Sequence, residues 1–335
     1  MSLPKELLHA IVDILALPTH PQAYGFEADV LRSLVRLCSS STTLCSITSP
    51  YLYSSVIISS AKQLNSFVHT LRNTKGRLSH ALRSLSLQEF DGASRGPYAS
   101  DLSGLLALLH EYSPNLRRLI IDSYLWTWMD PIESTSTVLL DEESPEISGI
   151  ERGAITRQRS DICSALGALY GLEELGSIQD EMLLKSVGTN GNWHYNSGWK
   201  DYLQLRYLSL YSPFIDWNLG RGITALTFLE CLVLVQPDVV DDCPVDFFQT
   251  LTARRRVILV GPLLPIEIDT IKEAVTAVRP KYEVVYVEPQ VRGEDDEMIR
   301  DVQLWVRQRL ESGTMFDAEG TLIWRRHESP GDIHT

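Results

Sequence analysis

Residues 205–211 read LRYLSLY, and the chain repeats that phrase. The pattern L-x-x-L-x-L returns as Leu82-x-x-Leu85-x-Leu87, as Leu116-x-x-Leu119-x-Ile121, and as Leu172-x-x-Leu175 with Ser177 in the last place. It comes again as Leu229-x-x-Leu232-x-Leu234 and, weakened, as Arg254-x-x-Val257-x-Leu259. Counted from the middle position, the steps are 34, 56, 33, 24 and 25 residues. Apolar residues two apart suit a strand with one face on a core, and YEVVYVEP (282–289) reads as one more strand. Helical spacing, i, i+3, i+4, i+7, lies between the strands: Leu64, Phe67, Val68 and Leu71; Leu102, Leu105, Leu106 and Leu109; Ile162, Ala165, Leu166 and Leu169. Pro244 opens a further helix with Val245, Phe248 and Leu251, and Ile271, Ala274, Val275 and Val278 mark another. A strand–helix unit of this size cannot bury its apolar side alone. Stacking the units gives an α/β solenoid with its strands on the concave face.

A doubly wound nucleotide-binding sheet alternates strands and helices too, but strands covered on both faces read as unbroken apolar runs. Here the alternate positions are Ser84, Ser86 and Gln88, then Tyr207, Ser209 and Tyr211. No strand is followed by G-x-G-x-x-G or G-x-x-x-x-G-K, so no phosphate cradle is present. Only the late runs VILVG (257–261) and EVVYV (283–287) look apolar on both sides. The segment 291–335 is therefore expected to fold over that end as a cap. Its helix would carry Ile299, Val302, Trp305 or Val306, and Leu310, and TMFDAEGTLIW (314–324) would form a small hairpin around Gly320. The repeats, 56–290, resemble irregular leucine-rich repeats. The 56-residue step needs an insertion, placed at about 126–156, where seven carboxylates face the single Arg152 within 126–153. An acidic, polar loop of this kind reads as a solvated tail or as a lid for a basic partner.

A content of 44% apolar and 22% charged residues is that of a globular protein. Thirty basic against 43 acidic side chains leave a net charge of −13, which argues against a nucleic-acid surface. The five cysteines are scattered without C-x-x-C, so free thiols in a reducing compartment are expected. No signal-peptide pattern and no run of about 18 apolar residues occurs. A cytoplasmic or nuclear protein without a membrane span is the expectation.

The N-terminal stretch SLPKELLHAIVDIL (2–15) reads as a helix with Pro4 in its first turn. Leu7, Leu8, Ile11, Val12, Ile14 and Leu15 fill an arc of roughly 160°, wider than the stripe a surface helix needs for its own core. Two prolines and a glycine break the pattern at 16–29. A second helix carries Leu31, Leu34, Val35 and Cys38, and a third ends near Pro50. Leu3-Pro4, Glu6-Leu7, Ile11, Leu15, Leu31, Leu34, Leu37-Cys38 and the close Tyr51-Leu52-Tyr53 resemble a fungal F-box over residues 1–55. The loop after the first helix is longer than the usual link, and the late Trp of the motif is absent. The resemblance implies a three-helix module in which Leu3, Pro4, Leu7, Ile11, Leu31, Leu34 and Leu37 dock the Skp adaptor of a cullin-RING, SCF-type ubiquitin ligase. The repeats would then choose a target protein. The other reading is a leucine-rich-repeat scaffold whose first helices only cap the solenoid.

No catalytic constellation, cofactor motif or metal-ligand spacing stands out, so neither an enzyme nor a cofactor is expected. In NWHYN (192–196), His194 reads as a surface or packing residue of a loop; Asp241-Asp242 reads as helix-start charge. Arg254, Arg255 and Arg256 either hold an anionic partner or neutralise acids at a strand edge. Strand alternation aims Arg118, Ile120 and Asp122, then Tyr207, Ser209 and Tyr211, then Cys231 and Val233 at the inner wall. With Trp126 and Trp128 at the rim, Arg118, Asp122, Tyr207 and Tyr211 are the candidate target-binding residues, since Tyr, Trp and Arg suit hot spots.

Overall fold

The computed structural model describes residues 4–16, 27–73, 79–88, 99–122, 162, 164–179, 185–187, 193–195, 204–239, 243–251, 255–290 and 295–325. It begins with three helices, α1 (Lys5–Leu15), α2 (Ala28–Ser40) and α3 (Thr42–Leu52). They close around Val12, Leu34 and Ile47, with Leu8, Val30, Leu37, Tyr51 and Leu52 packed against that centre. Pro4 stands just before α1 rather than inside its first turn, and its carbonyl accepts the Leu7 and Leu8 N–H groups at 3.1 and 3.2 Å. The Ser41 hydroxyl accepts the Leu44 N–H at 3.1 Å and starts α3. That helix runs through Pro50 to Leu52.

A short turn leads from α3 into β1 (Ser55–Ile58). β2 (Ser84–Leu87), β3 (Arg118–Ile121) and β4 (Glu174–Ser177) follow. Next come β5 (Lys185–Val187) and β6 (Trp193–Tyr195), an antiparallel pair outside the main sheet. His194, expected in a loop, therefore lies in a strand. β7 (Tyr207–Tyr211), β8 (Cys231–Val235), β9 (Arg256–Val260), β10 (Glu283–Val287) and β11 (Thr321–Trp324) complete the set. The sheet runs β1-β2-β3-β4-β7-β8-β9-β10-β11 and is parallel except for β11, which pairs antiparallel with β10.

The repeat leucines set the register. Val56, Leu85, Leu119, Leu175, Leu208, Leu232, Val257 and Val284 pair across neighbouring strands in one column. From Leu85 onward every member of it is buried. This column faces α4 (Ala61–Asn73), α5 (Ala99–Tyr112), the helical residues 164–167, α6 (Trp217–Ile223), α7 (Cys243–Thr250) and α8 (Pro265–Val278). Together they form one core containing Leu64, Leu106, Leu166, Phe247, Phe248 and Ile271. α7 turns Phe247 and Phe248 inward and leaves Val245 exposed, where the spacing had placed Val245 inside. α6 forms despite two glycines in WNLGRGI, with the Asp216 carboxylate accepting the Leu219 N–H at 2.8 Å.

The residue that follows each of three successive strands takes a left-handed conformation: Ser212 (φ 45°), Gln236 (φ 46°) and Gly261 (φ 135°). Ser212 donates its N–H to Val235 O at 2.7 Å and Gln236 donates to Val260 O at 2.6 Å. Each carbonyl gained continues the parallel ladder by one bond. That offsets the cost of about 1–2 kcal/mol for a non-glycine residue there. Gly261 suits its place because a Cβ would stand 2.9 Å from the Gln236 side chain.

The opposite face of the sheet is covered as well. α9 (Asp295–Ser312) lies across it and buries Val302, Val306 and Leu310 against Ile120, Ile178, Val233, Ile258 and Val285. This corrects the expected terminal cap: the helix lies on the strand wall, not over its end, and Val302, Val306, Leu310, Met315 and Phe316 share a core with the repeats. The strands CLVLV, RVILV and EVVYV are apolar on both sides for that reason.

The hairpin expected around Gly320 does not form; β11 pairs with β10 instead. A Cβ on Gly320 would stand 2.3 Å from Tyr286 O. Gly320→Ala is expected to push β11 off β10 and lower stability by about 1–3 kcal/mol, read as a lower denaturant midpoint with unchanged slope.

Candidate functional site

Two surfaces were candidates, the strand wall and the outer face of the first helices. On the wall, Arg118, Asp122, Tyr207 and Tyr211 do line one face, but the chain itself engages them. Asp122 is 2% exposed. Its carboxylate accepts Arg307 Nη1 at 2.8 Å and Gln179 Nε2 at 3.0 Å. Arg118 donates to Glu174, itself buried, at 2.8 Å. The Tyr207 ring meets Phe316 at 4.8 Å between centroids, and Tyr211 packs on the cluster beneath α9. Farther along, Ser86 and Gln88 donate to the Glu311 carboxylate at 3.0 and 2.7 Å. Gly176 and Ser209 share the register row of Ile120 and Val233. A Cβ at Gly176 would stand 3.0 Å from Leu310, so the missing side chain lets the helix settle there. The protein's own chain thus engages the wall, through α9 at Asp122, Ser86 and Gln88, through Phe316 at Tyr207 and through Glu174 at Arg118, where an open target-binding wall was expected. Trp126 and Trp128 lie outside the described residues.

The outer helical face is different. Ile14 is 70% exposed, Leu7 51%, Val35 48%, Ile11 45% and Leu31 43%, although the interior of the three-helix unit is already filled. Pro4 is exposed beside them. Leu34, included in the docking set, is instead wholly buried at the centre of the unit, and Leu37 is half-buried against it. Leu3 lies outside the described residues. Ile14 and Val35 join the exposed face without having been selected. Ile14 was legible from the width of the apolar arc on the first helix and Val35 from the helical spacing of the second, and only packing could say which side chains point inward. Tyr51 ties α3 to α1 by donating to Asp13, and this hydrogen bond to a carboxylate raises the tyrosine pKa above its ordinary value.

A further apolar group follows the C-terminal ends of the parallel strands β7 and β9. Phe214, Trp217, Leu264 and Ile266 are exposed there, with the Arg221 guanidinium 4.9 Å from the Trp217 ring centre. At the strand starts, Arg206 pairs with Glu230 at 2.5 Å and Arg256 with Glu283 at 3.8 Å. For Arg256 this matches the charge-neutralising alternative.

The groove between β1 and α4 is lined by Tyr53, Val56, Ile58, Phe67, Lys62, Gln63 and Thr70, with no carboxylate or imidazole beside a nucleophile. Among the described residues no group of three or more His, Cys, Asp or Glu is arranged to hold a metal ion. No helix among them is long and apolar enough to cross a membrane.

No family model and no curated protein matches the chain. Among solved structures it is similar to internalin C2 from Listeria monocytogenes str. 4b F2365, at 10% identity over 83% of this chain and 96% of that one, TM-score 0.32. It is similar to human 5T4, the Wnt-activated inhibitory factor 1 or trophoblast glycoprotein, at 16% identity over 67% and 76%, TM-score 0.29. A D-psicose 3-epimerase from Clostridium cellulolyticum H10 gives 10% identity over 75% and 90%, TM-score 0.25. These scores are too low to decide the architecture, which rests on the strand register itself.

Proposed function

We propose that the chain is a substrate-recognition subunit of an SCF-type ubiquitin ligase. Its N-terminal helices dock a Skp adaptor, and its repeats hold the target protein. The observation that carries the reading is the exposed apolar side chains Leu7, Ile11 and Ile14 on α1 and Leu31 and Val35 on α2, left in water by a helical unit whose centre is complete. Such a group is the kind that marks a protein-binding surface. The F-box resemblance supplies the partner. Catalysis by this chain is not required: holding a target near a charged ubiquitin carrier raises their effective concentration. Because α9 fills the strand wall, the target surface is assigned to the exposed group Phe214, Trp217, Leu264 and Ile266.

A second reading is favoured by one observation. α3 joins β1 through the two-residue turn Tyr53–Ser54, and the Ser54 carbonyl accepts the N–H groups of Arg83 and Ser84 at 2.8 and 3.0 Å, beginning the ladder. In that reading the three helices only cap the sheet of a protein-interaction scaffold.

Co-expression of the full chain with a Skp adaptor separates the two. The ligase reading expects a stable complex, lost in the double variant Leu7→Asp, Ile14→Asp while the circular dichroism stays unchanged. A correctly folded wild-type chain that captures no adaptor overturns the ligase reading and leaves the scaffold.

A further inference from the structure

Two cysteines meet where α2 turns into α3. Cys38 stands near the end of α2 and Cys45 in the first turns of α3, joined through the Ser39–Thr42 bend. Their Sγ atoms are 2.8 Å apart, with the Cys38 thiol donating to the Cys45 sulfur. Ser49 Oγ lies 3.6 Å from the Cys45 sulfur and 4.0 Å from that of Cys38. Both cysteines are half-buried, so a small reagent can reach them. A disulfide needs an S–S separation of about 2.05 Å, so the sulfurs must close by less than about 1 Å. Cys231 offers the contrast: it is fully buried under α9, and burial pushes its thiol up to about 12, which keeps it protonated and inert.

We propose that Cys38 and Cys45 are a reversible redox pair whose disulfide staples α2 to α3 in the N-terminal helical unit. The oxidant is a small-molecule disulfide of the glutathione class. The hydrogen bond from the Cys38 thiol first, and then the contact with the Ser49 hydroxyl, lower the Cys45 pKa and so raise its thiolate fraction. The Cys45 thiolate attacks one sulfur of the oxidant, forming a mixed disulfide and releasing one small thiolate. Cys38 then loses its proton and attacks the Cys45 sulfur. The mixed disulfide breaks, the second small thiolate leaves, and the Cys38–Cys45 bond forms. Two electrons pass from the protein to the oxidant. The two thiol protons go to the two small thiolates.

The test titrates the full-length folded protein with defined ratios of oxidised to reduced glutathione, followed by acid quenching and peptide mass analysis. The proposal expects a Cys38–Cys45 crosslink, seen as the loss of two hydrogens from the peptides that carry them. It also expects full reversal by reductant and slower amide exchange across α2 and α3. Cys38→Ser should trap Cys45 as a glutathione adduct with no crosslink. The same titration in urea should require a more oxidising ratio, since unfolding removes the preset geometry. A folded wild-type chain that keeps both thiols reduced, or carries a separate glutathione on each, overturns the proposal. So does a crosslink that forms equally well unfolded.

Discussion

Val306→Asp is expected to leave no soluble folded chain, while Leu304→Asp on the same helix shifts stability by no more than about 0.5 kcal/mol. Val306 is wholly buried on the α9 face that meets Val233, Ile258 and Val285, whereas Leu304 is 40% exposed. Removing the valine from the core costs about 1.5–3 kcal/mol. A carboxyl group without partners in that setting adds roughly 2–7 kcal/mol, after it has taken up a proton rather than stay ionised. The sum, on the order of 5 kcal/mol or more, is comparable with the whole stability of a domain of this kind. Soluble yield and a denaturant titration report both variants. A soluble Val306→Asp chain with native circular dichroism would show that α9 is a detachable cover, and the strand wall would again be open to a target.

Arg307→Ala is expected to cost about 3 kcal/mol, and Asp122→Asn only about 1 kcal/mol, although the two side chains form one ion pair. Burial makes the difference. The Asp122 side chain is 2% exposed and that of Arg307 28%. Deleting the arginine leaves a carboxylate in the interior without its cationic partner, though the Gln179 amide still donates to it. Neutralising the aspartate leaves a guanidinium that still reaches water and an amide oxygen that can accept from it. Partial exposure of Arg307 keeps this cost at the low end of the range for broken buried pairs. Equal losses in the two variants, measured by urea unfolding, would place the pair in solvent-like surroundings and remove its role in fixing α9.

Much of the repeat architecture was legible because its driving term is periodic. Leu85, Leu119, Leu175, Leu208 and Leu232 pair in a single column because each sits in the middle of the same short apolar phrase. The double-sided burial of β9 and β10 was legible too, from strands that carry no polar alternation. The left-handed exits at Ser212 and Gln236 were not, since neither residue is a glycine and the compensating bonds come from the next repeat. The place of β11 was hidden for a similar reason: TLIW suits any strand edge, and its partner lies more than 30 residues back in sequence. For the candidate docking face, the sequence marked the apolar spacing of the second helix but could not divide it between Leu34, which packs inward, and Val35, which does not.

By itself the sequence determined the alternation of strand and helix, the column of leucines, the apolar N-terminal helices and the acidic balance, because each depends on local spacing or a simple sum. Only the tertiary structure decided what the second face of the sheet touches. Residues 295–312 are amphipathic in any context, but their burial on the wall depends on Gly176 admitting Leu310, on Asp122 meeting Arg307, and on Ser86 and Gln88 meeting Glu311. Those partners lie more than 130 residues away along the chain. No local pattern encodes such pairings, since they arise only when the repeats have stacked and brought the wall together.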